Sequence, residues 1–182
     1  MKNKSLTILC TLIIMCFCFA QCKKTNTTDP ADQLPPATQT GANTFGCLVD
    51  GKVYIPKGSD GTNKPNLRKI YDNFQGDNYL AIYTYRYINN NFDGEIYFSI
   101  HNLLNTGNYI TNNTKNSIIY GGIFFNNCGI SGFDTTTYRN GIITVQRLDL
   151  TTGIISGVFN CKIKPNNCDT IRITDGRFDF KL

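Results

Sequence analysis

The sequence predicts an all-β fold, an antiparallel β-sandwich or partly closed β-barrel of about nine to ten strands with meander connections. Three observations lead there. Strong helix formers are scarce, because Glu95 is the single Glu of the 182 residues and Ala81 the single Ala after residue 42. Ile, Tyr, Phe and Thr, which suit a pleated and half-buried surface, are abundant. Asn, Asp and Gly interrupt them about every eight to twelve residues, the spacing of short strands and tight turns. Charge is modest, 18 Lys plus Arg against 13 Asp plus Glu, without a basic stripe, which argues against nucleic acid as a partner.

Residues 45–182 read as a single β domain. Phe45, Cys47 and Val49 alternate on one face, Asp50-Gly51 is a two-residue turn signal, and Val53 and Ile55 return until Pro56 stops the strand. Residues 57–66 (KGSDGTNKPN) form a loop before a strand near Leu67 to Phe74. Tyr79 to Ile88 and Glu95 to Leu103 make the clearest pair, separated by residues 89–94. Setting Leu80, Ile82 and Ile88 against Ile96, Phe98 and Ile100 requires even-numbered pairing sums, since a one-residue slip exchanges the faces. That register gathers Tyr79, Tyr83, Tyr85, Tyr87 and Tyr97 with Glu95 and His101 on the opposite face. A turn at residues 105–108 leads to a short strand at Tyr109-Ile110, and Ser117 to Phe125 carries two central glycines that imply a bulge or tight curvature. Residues 126–140 form a loop holding Cys128, and Gly141 to Leu150 pairs with Gly153 to Ile163 around Thr151-Thr152. Thr170 to Thr174 and Arg177 to Leu182 are expected to pair around Asp175-Gly176, with Arg172 opposite Asp179.

Residues 1–21 are the pattern of a secretory signal peptide: a basic start, then a fifteen-residue uncharged apolar run from Leu6 to Ala20, too short for a membrane span. Phe19-Ala-Gln-Cys22 resembles the lipobox of bacterial lipoproteins, with Cys22 as the lipidated residue. Phe19 and Gln21 stand where that box prefers Leu and Gly or Ala, and cleavage after Ala20 is the competing outcome. Thiol parity favours lipidation, which leaves Cys47, Cys128, Cys161 and Cys168 and no odd thiol in an oxidising compartment. The membrane is then a partner, reached through the N-terminal lipid. Residues 22–44 hold one large apolar residue, Leu34, and read as the lipidated Cys and a flexible tether.

The Cys22-Lys-Lys24 junction, the Thr- and Pro-rich tether, Phe45-Gly-Cys-Leu-Val-Asp-Gly-Lys52, Ile155-Ser-Gly-Val-Phe159 and Ile173-Thr-Asp-Gly-Arg-Phe-Asp179 together resemble a family of β-rich lipoproteins of Bacteroidota. The resemblance covers the whole chain. It implies an envelope location, at the outer membrane, and a β domain, and it implies no activity and no catalytic residue. Asp134-Thr-Thr136 and Asp169-Thr-Ile171 resemble the short O-glycosylation motif of envelope proteins of that lineage, with Thr135 and Thr170 as acceptors. An Asp that opens a turn before a strand has the same pattern.

Without a C-x-x-C spacing, the four cysteines behind a signal peptide point to disulfides rather than zinc, pairing Cys161 with Cys168 across residues 162–167 and Cys47 with Cys128. A single histidine, His101, leaves no catalytic triad or H-E-x-x-H site, and no Walker loop or G-x-S-x-G elbow is present, so no cofactor, metal or catalytic residue is assigned. Asp93 and Glu95 come nearest to a glycosidase pair. Residues 58–63 and 89–95 offer oxygen ligands for calcium but lack EF-hand spacing and read as turns. The tyrosine face suits the stacking of a sugar or of a protein partner. The expected function is a non-catalytic binding or structural module of the cell envelope that holds a glycan or an envelope protein. A small polysaccharide hydrolase or lyase, and a barrel binding a small apolar ligand, are the alternatives.

Overall fold

The structure, a computed structural model, describes residues 29–62, 64–74, 76–111, 119–125, 128–130 and 137–182. Residues 1–21, expected to be a signal peptide, Cys22 and Thr135 lie outside the described residues. Eleven strands are described: β1 (Thr44–Val49), β2 (Lys52–Tyr54), β3 (Leu67–Phe74), β4 (Asp77–Ile88), β5 (Asn91–Ile100), β6 (Gly107–Thr111), β7 (Ile119–Phe125), β8 (Cys128–Ile130), β9 (Tyr138–Asp149), β10 (Ile154–Lys164) and β11 (Ile171–Lys181). They form two antiparallel sheets, β2-β1-β11-β10-β9-β6 and β3-β4-β5-β7-β8, that pack as a β-sandwich. The described strands leave both sheets open, so the fold is not a closed barrel. Local hairpins make β3-β4-β5 and β9-β10-β11, while the β1–β11 and β6–β9 pairs join distant parts of the chain.

Alternation explains the core. Phe45, Cys47 and Val49 of β1 and Ile155, Phe159 and Ile163 of β10 point inward from the first sheet; Leu80, Ile82, Ile96, Phe98 and Ile100 point inward from the second. Phe98 stands at the centre, its ring 6.4 Å from Phe45, 5.3 Å from Phe159 and 6.2 Å from Phe178. These side chains fill the space between the sheets, where a ligand-holding barrel would keep its cavity. Burying one such ring is worth about 1.5–3 kcal/mol.

The first hairpin turns at Asp50 (φ 48°) and Gly51 (φ 76°), as Asp-Gly implies. The pairing sums of β4 and β5 are even from Leu80↔Ile100 to Arg86↔Gly94, but the connection is shorter than six residues: Asn89 and Asn90 alone make the turn, both at positive φ. Beyond Arg86 the register shifts, and Asp93 is the extra residue of a bulge.

Three expectations are corrected. Asp175-Gly176 does not close a hairpin. β11 runs unbroken from Ile171 to Lys181 and bulges there, so Arg172 pairs with Lys162, and Asp179 with Ser156 and Thr44. The bulge carries the inward set from odd positions, Ile171 and Ile173, to even ones, Phe178 and Phe180. Asp175 has φ 54°, which a turn and a bulge both accept, and Gly176 is closed over by Phe159, whose ring carbons would lie 2.6 Å from an added Cβ.

The cysteines pair differently as well. Cys128 opens β8 in the second sheet and is bonded to Cys168 in the β10–β11 loop of the first, with Cα atoms 6.1 Å apart, so the bridge ties the two sheets together. Cys161 sits within β10 opposite Ile173, and Cys47 lies in the core; both are thiols. Burial pushes the Cys47 thiol well above its ordinary range and the Cys161 thiol up to about 12.

Finally, the expected tether is held down from residue 29 onward. Asp29 accepts from the Ala31 amide to cap a 3₁₀ turn over Pro30–Gln33. Leu34 is buried, and Pro35 lies where a Cβ on Gly46 would stand, 2.7 Å from it. Asp179, 1% exposed on the outer side of β11, accepts from the Thr38 hydroxyl (2.6 Å) and from the Thr40 (2.9 Å) and Gly41 (2.7 Å) amides. Burial alone raises the pKa of this carboxyl, but these bonds outweigh it and hold the group below the usual carboxylate range.

Candidate functional site

The outer face of the second sheet carries the tyrosine set. Even positions of β4 (Leu80, Ile82, Thr84) are buried in the core, so Tyr79, Tyr83 and Tyr85 point outward, beside Tyr97 and Glu95 from β5. All of these tyrosines, with Tyr87, are half-buried and stand outside the core cluster. Tyr83 faces Arg68 on β3 and Tyr97 on β5. The Tyr83 and Tyr97 rings stack at 4.6 Å, and the Arg68 guanidinium lies over Tyr83 at 4.5 Å, so one ladder crosses three strands. Tyr85 is opposite Glu95, whose carboxyl burial pushes up.

A second group closes the far end of the face. Tyr79 stacks on His101 at 5.9 Å, and His101 Nδ1 contacts Asp77 Oδ2 at 2.5 Å. Asp77 also accepts from the Asn102 amide at 2.6 Å; that bond first, and His101 second, hold its carboxyl below the usual range. His101 is thus packed and paired within the turn after β5.

Residues 57–62 and 64–66 complete the site. β3 begins only at Leu67, so the end of β4 pairs with this loop instead: the Tyr85 amide donates to Asn66 O at 2.8 Å and the Tyr87 amide to Lys57 O at 2.9 Å. Gly58 has φ +78°, and a Cβ there would stand 2.4 Å from Tyr87 O, so only glycine lets the loop lie this close. Between loop and strands is a pocket of about 390 Å³. Tyr83, Tyr85, Tyr87 and Arg68 form one wall, and Asp60, Lys64, Pro65 and Asn66 the other. Burial holds the Tyr85 and Tyr87 hydroxyls above the ordinary phenol value, so both are neutral donors at physiological pH. Asp60 Oδ1 accepts from the Thr62 amide (2.8 Å) and hydroxyl (2.5 Å), bonds that lower its pKa.

Of the residues singled out from sequence, the structure brings Tyr83, Tyr85 and Tyr87 to the pocket and places Tyr97 and Glu95 beside it, with Tyr79 and His101 farther along the face. Asp93 is drawn from Glu95 to an ion pair with Arg86 Nε. Arg68, Lys64 and Asn66 escaped sequence reading. The signal was present: continuing the β3–β4 register backward from Leu67↔Thr84 sets Asn66 beside Tyr85. Among the described residues no group of three or more His, Cys, Asp or Glu side chains is arranged to hold a metal. No family model, curated protein or solved structure matches the chain.

Proposed function

We propose that the protein is a lipid-anchored module of the cell envelope, held at the outer membrane through Cys22, which binds a glycan or an envelope protein through the outer face of its second sheet and catalyses no reaction. The observation that carries this reading is the ladder Arg68–Tyr83–Tyr97 beside a pocket walled by Tyr83, Tyr85 and Tyr87. Aromatic rings with polar tips, half-buried on a sheet surface and not used in the core, are the groups that dominate association energies. The tie between Asp93 and Arg86 supports a non-catalytic role, because it takes one of the two carboxylates a glycosidase would use.

The test is a glycan array together with a pull-down of envelope proteins, run with the parent and with Tyr85→Ala and Tyr97→Ala. Each substitution is expected to weaken a true hit by about 1–3 kcal/mol while the fold is kept. Hits that bind both variants as tightly as the parent would reject the surface. The anchor has its own readout: the parent partitions into detergent and Cys22→Ala does not.

A further inference from the structure

We propose that the pocket between the tyrosine stripe and Asp60, Lys64, Pro65 and Asn66 binds a carboxylate-bearing sugar ring, a hexuronic acid unit of a polysaccharide. The inference rests on the glycan reading above and narrows it to a substrate class.

Two chemistries meet in this pocket. Its volume of about 390 Å³ falls in the range of small-ligand sites, roughly 300–1,000 Å³. Tyr85 and Tyr87 offer ring faces to the C–H side of a pyranose and neutral hydroxyls to its oxygens, while Tyr83, stacked on Tyr97, carries Arg68. Lys64 and Arg68, both exposed, add two positive charges against the one carboxylate of the lining, Asp60. Asp60 is turned onto its own loop, with one oxygen shared by the Thr62 amide and hydroxyl. Among the described residues no ion pair occupies Arg68; its guanidinium is held on the Tyr83 ring instead. A guanidinium steadied on a ring keeps its N–H fork for a planar two-oxygen acceptor, which is the geometry of a carboxylate. Glu95 stands opposite Tyr85 but is not part of the pocket wall, so the lining keeps one net positive charge. A neutral sugar would use the rings and leave both cations idle. An acidic peptide would use the cations and leave the rings idle. A hexuronate uses both.

Calorimetry of the full chain tests this with four probes: oligogalacturonate, hyaluronan oligosaccharide, the methyl ester of the same oligogalacturonate, and polyglutamate. At least one uronate is expected to bind, its binding weakening as salt rises, with the methyl ester and polyglutamate about tenfold weaker or more. Arg68→Gln should cost about tenfold or more, and Lys64→Gln less, both with the fold kept, because both side chains are exposed and Arg68 gives up only its contact with the Tyr83 ring. Tyr85→Ala should weaken binding and Tyr85→Phe should retain most of it. Failure of both uronates to bind, or methyl ester or polyglutamate binding as tightly as the acid, overturns the proposal. Binding of neutral glycans that Tyr85→Ala abolishes and Arg68→Gln leaves intact would reject the hexuronate and keep the glycan reading. Uronate binding indifferent to every tyrosine substitution would reject both.

Discussion

The outer faces of the two sheets are finished in opposite ways. On the first sheet, residues 29–43 of the same chain close over part of the outer face: Asp179 is buried beneath them and Gly46 lies under Leu34 and Pro35. Leu34 and Pro35 supply the apolar contact, and Thr38, Thr40 and Gly41 supply the hydrogen bonds. On the second sheet, large rings stay half-buried, with the small Ala81 and Ser99 enclosed between them. A β-sandwich needs only its inner faces for stability, so its outer faces are available for other work. Here one is occupied by an intramolecular strap and the other is built from aromatic and cationic side chains that the core does not need.

Stability measurements can break this contrast. The largest effect belongs to neighbours on one strand, Phe98 facing in and Tyr97 facing out. Phe98→Ala should cost about 3–5 kcal/mol in denaturant unfolding, because the ring meets three others in the core. Tyr97→Ala should cost about 0.5–1.5 kcal/mol, the value of its stacking with Tyr83. Equal losses would place the tyrosine face in the core and remove the distinction.

A smaller effect concerns the strap. Asp179→Ala leaves the Thr38 hydroxyl and the Thr40 and Gly41 amides without their acceptor and should cost about 1–3 kcal/mol. Limited proteolysis should then cut within residues 29–43 while the strands resist. Unchanged resistance in that segment would show that Leu34 and Pro35 alone suffice to hold it.

The smallest effect is in the pH profile, where the two faces should differ in sign. The folded pKa of Asp179 lies below its unfolded value, so its contribution is present above about pH 4 and is lost as pH falls through the folded pKa. Glu95 is raised by burial, so its charged form weakens the fold at neutral pH, and that penalty disappears as pH falls below the unfolded value near about 4.3. Acid should therefore loosen the strap sooner than the tyrosine face. Removing Asp179 should flatten the acid limb of the stability curve, whereas Glu95→Gln should remove a penalty at neutral pH. Calorimetric melts of the two variants from pH 3 to 7 compare the slopes directly.

Legibility in the sequence followed the range of each interaction. The first hairpin, the even register of β4 with β5 and the outward tyrosines could all be read, because each depends on neighbouring residues and on period-two alternation. Asp175-Gly176 misled because a positive φ serves a bulge and a turn alike, and the choice was made by distant partners: Phe159 over Gly176, and β1 pairing with β11 on both sides of the bulge. The Cys128–Cys168 bridge joins segments assigned to different sheets, and strand alternation carries no signal for that assignment. The strap was hidden for a related reason. A Thr- and Pro-rich segment with one Leu looks unable to order itself, and it does so by using an acceptor on the last strand. Of the candidate site, the tyrosines were legible and the two cations were not, since Lys64 and Arg68 meet the tyrosines only through the β3–β4 pairing and the loop before it.

The most direct test of the contrast is an amide NMR titration of the full chain with oligogalacturonate, following both outer faces at once. Shifts confined to residues 57–68 and to Tyr83, Tyr85, Tyr87 and Tyr97, with Thr38, Thr40, Gly41 and Asp179 unmoved, are the result predicted here. Shifts centred on the strap and the first sheet, with the tyrosine face silent, would contradict it.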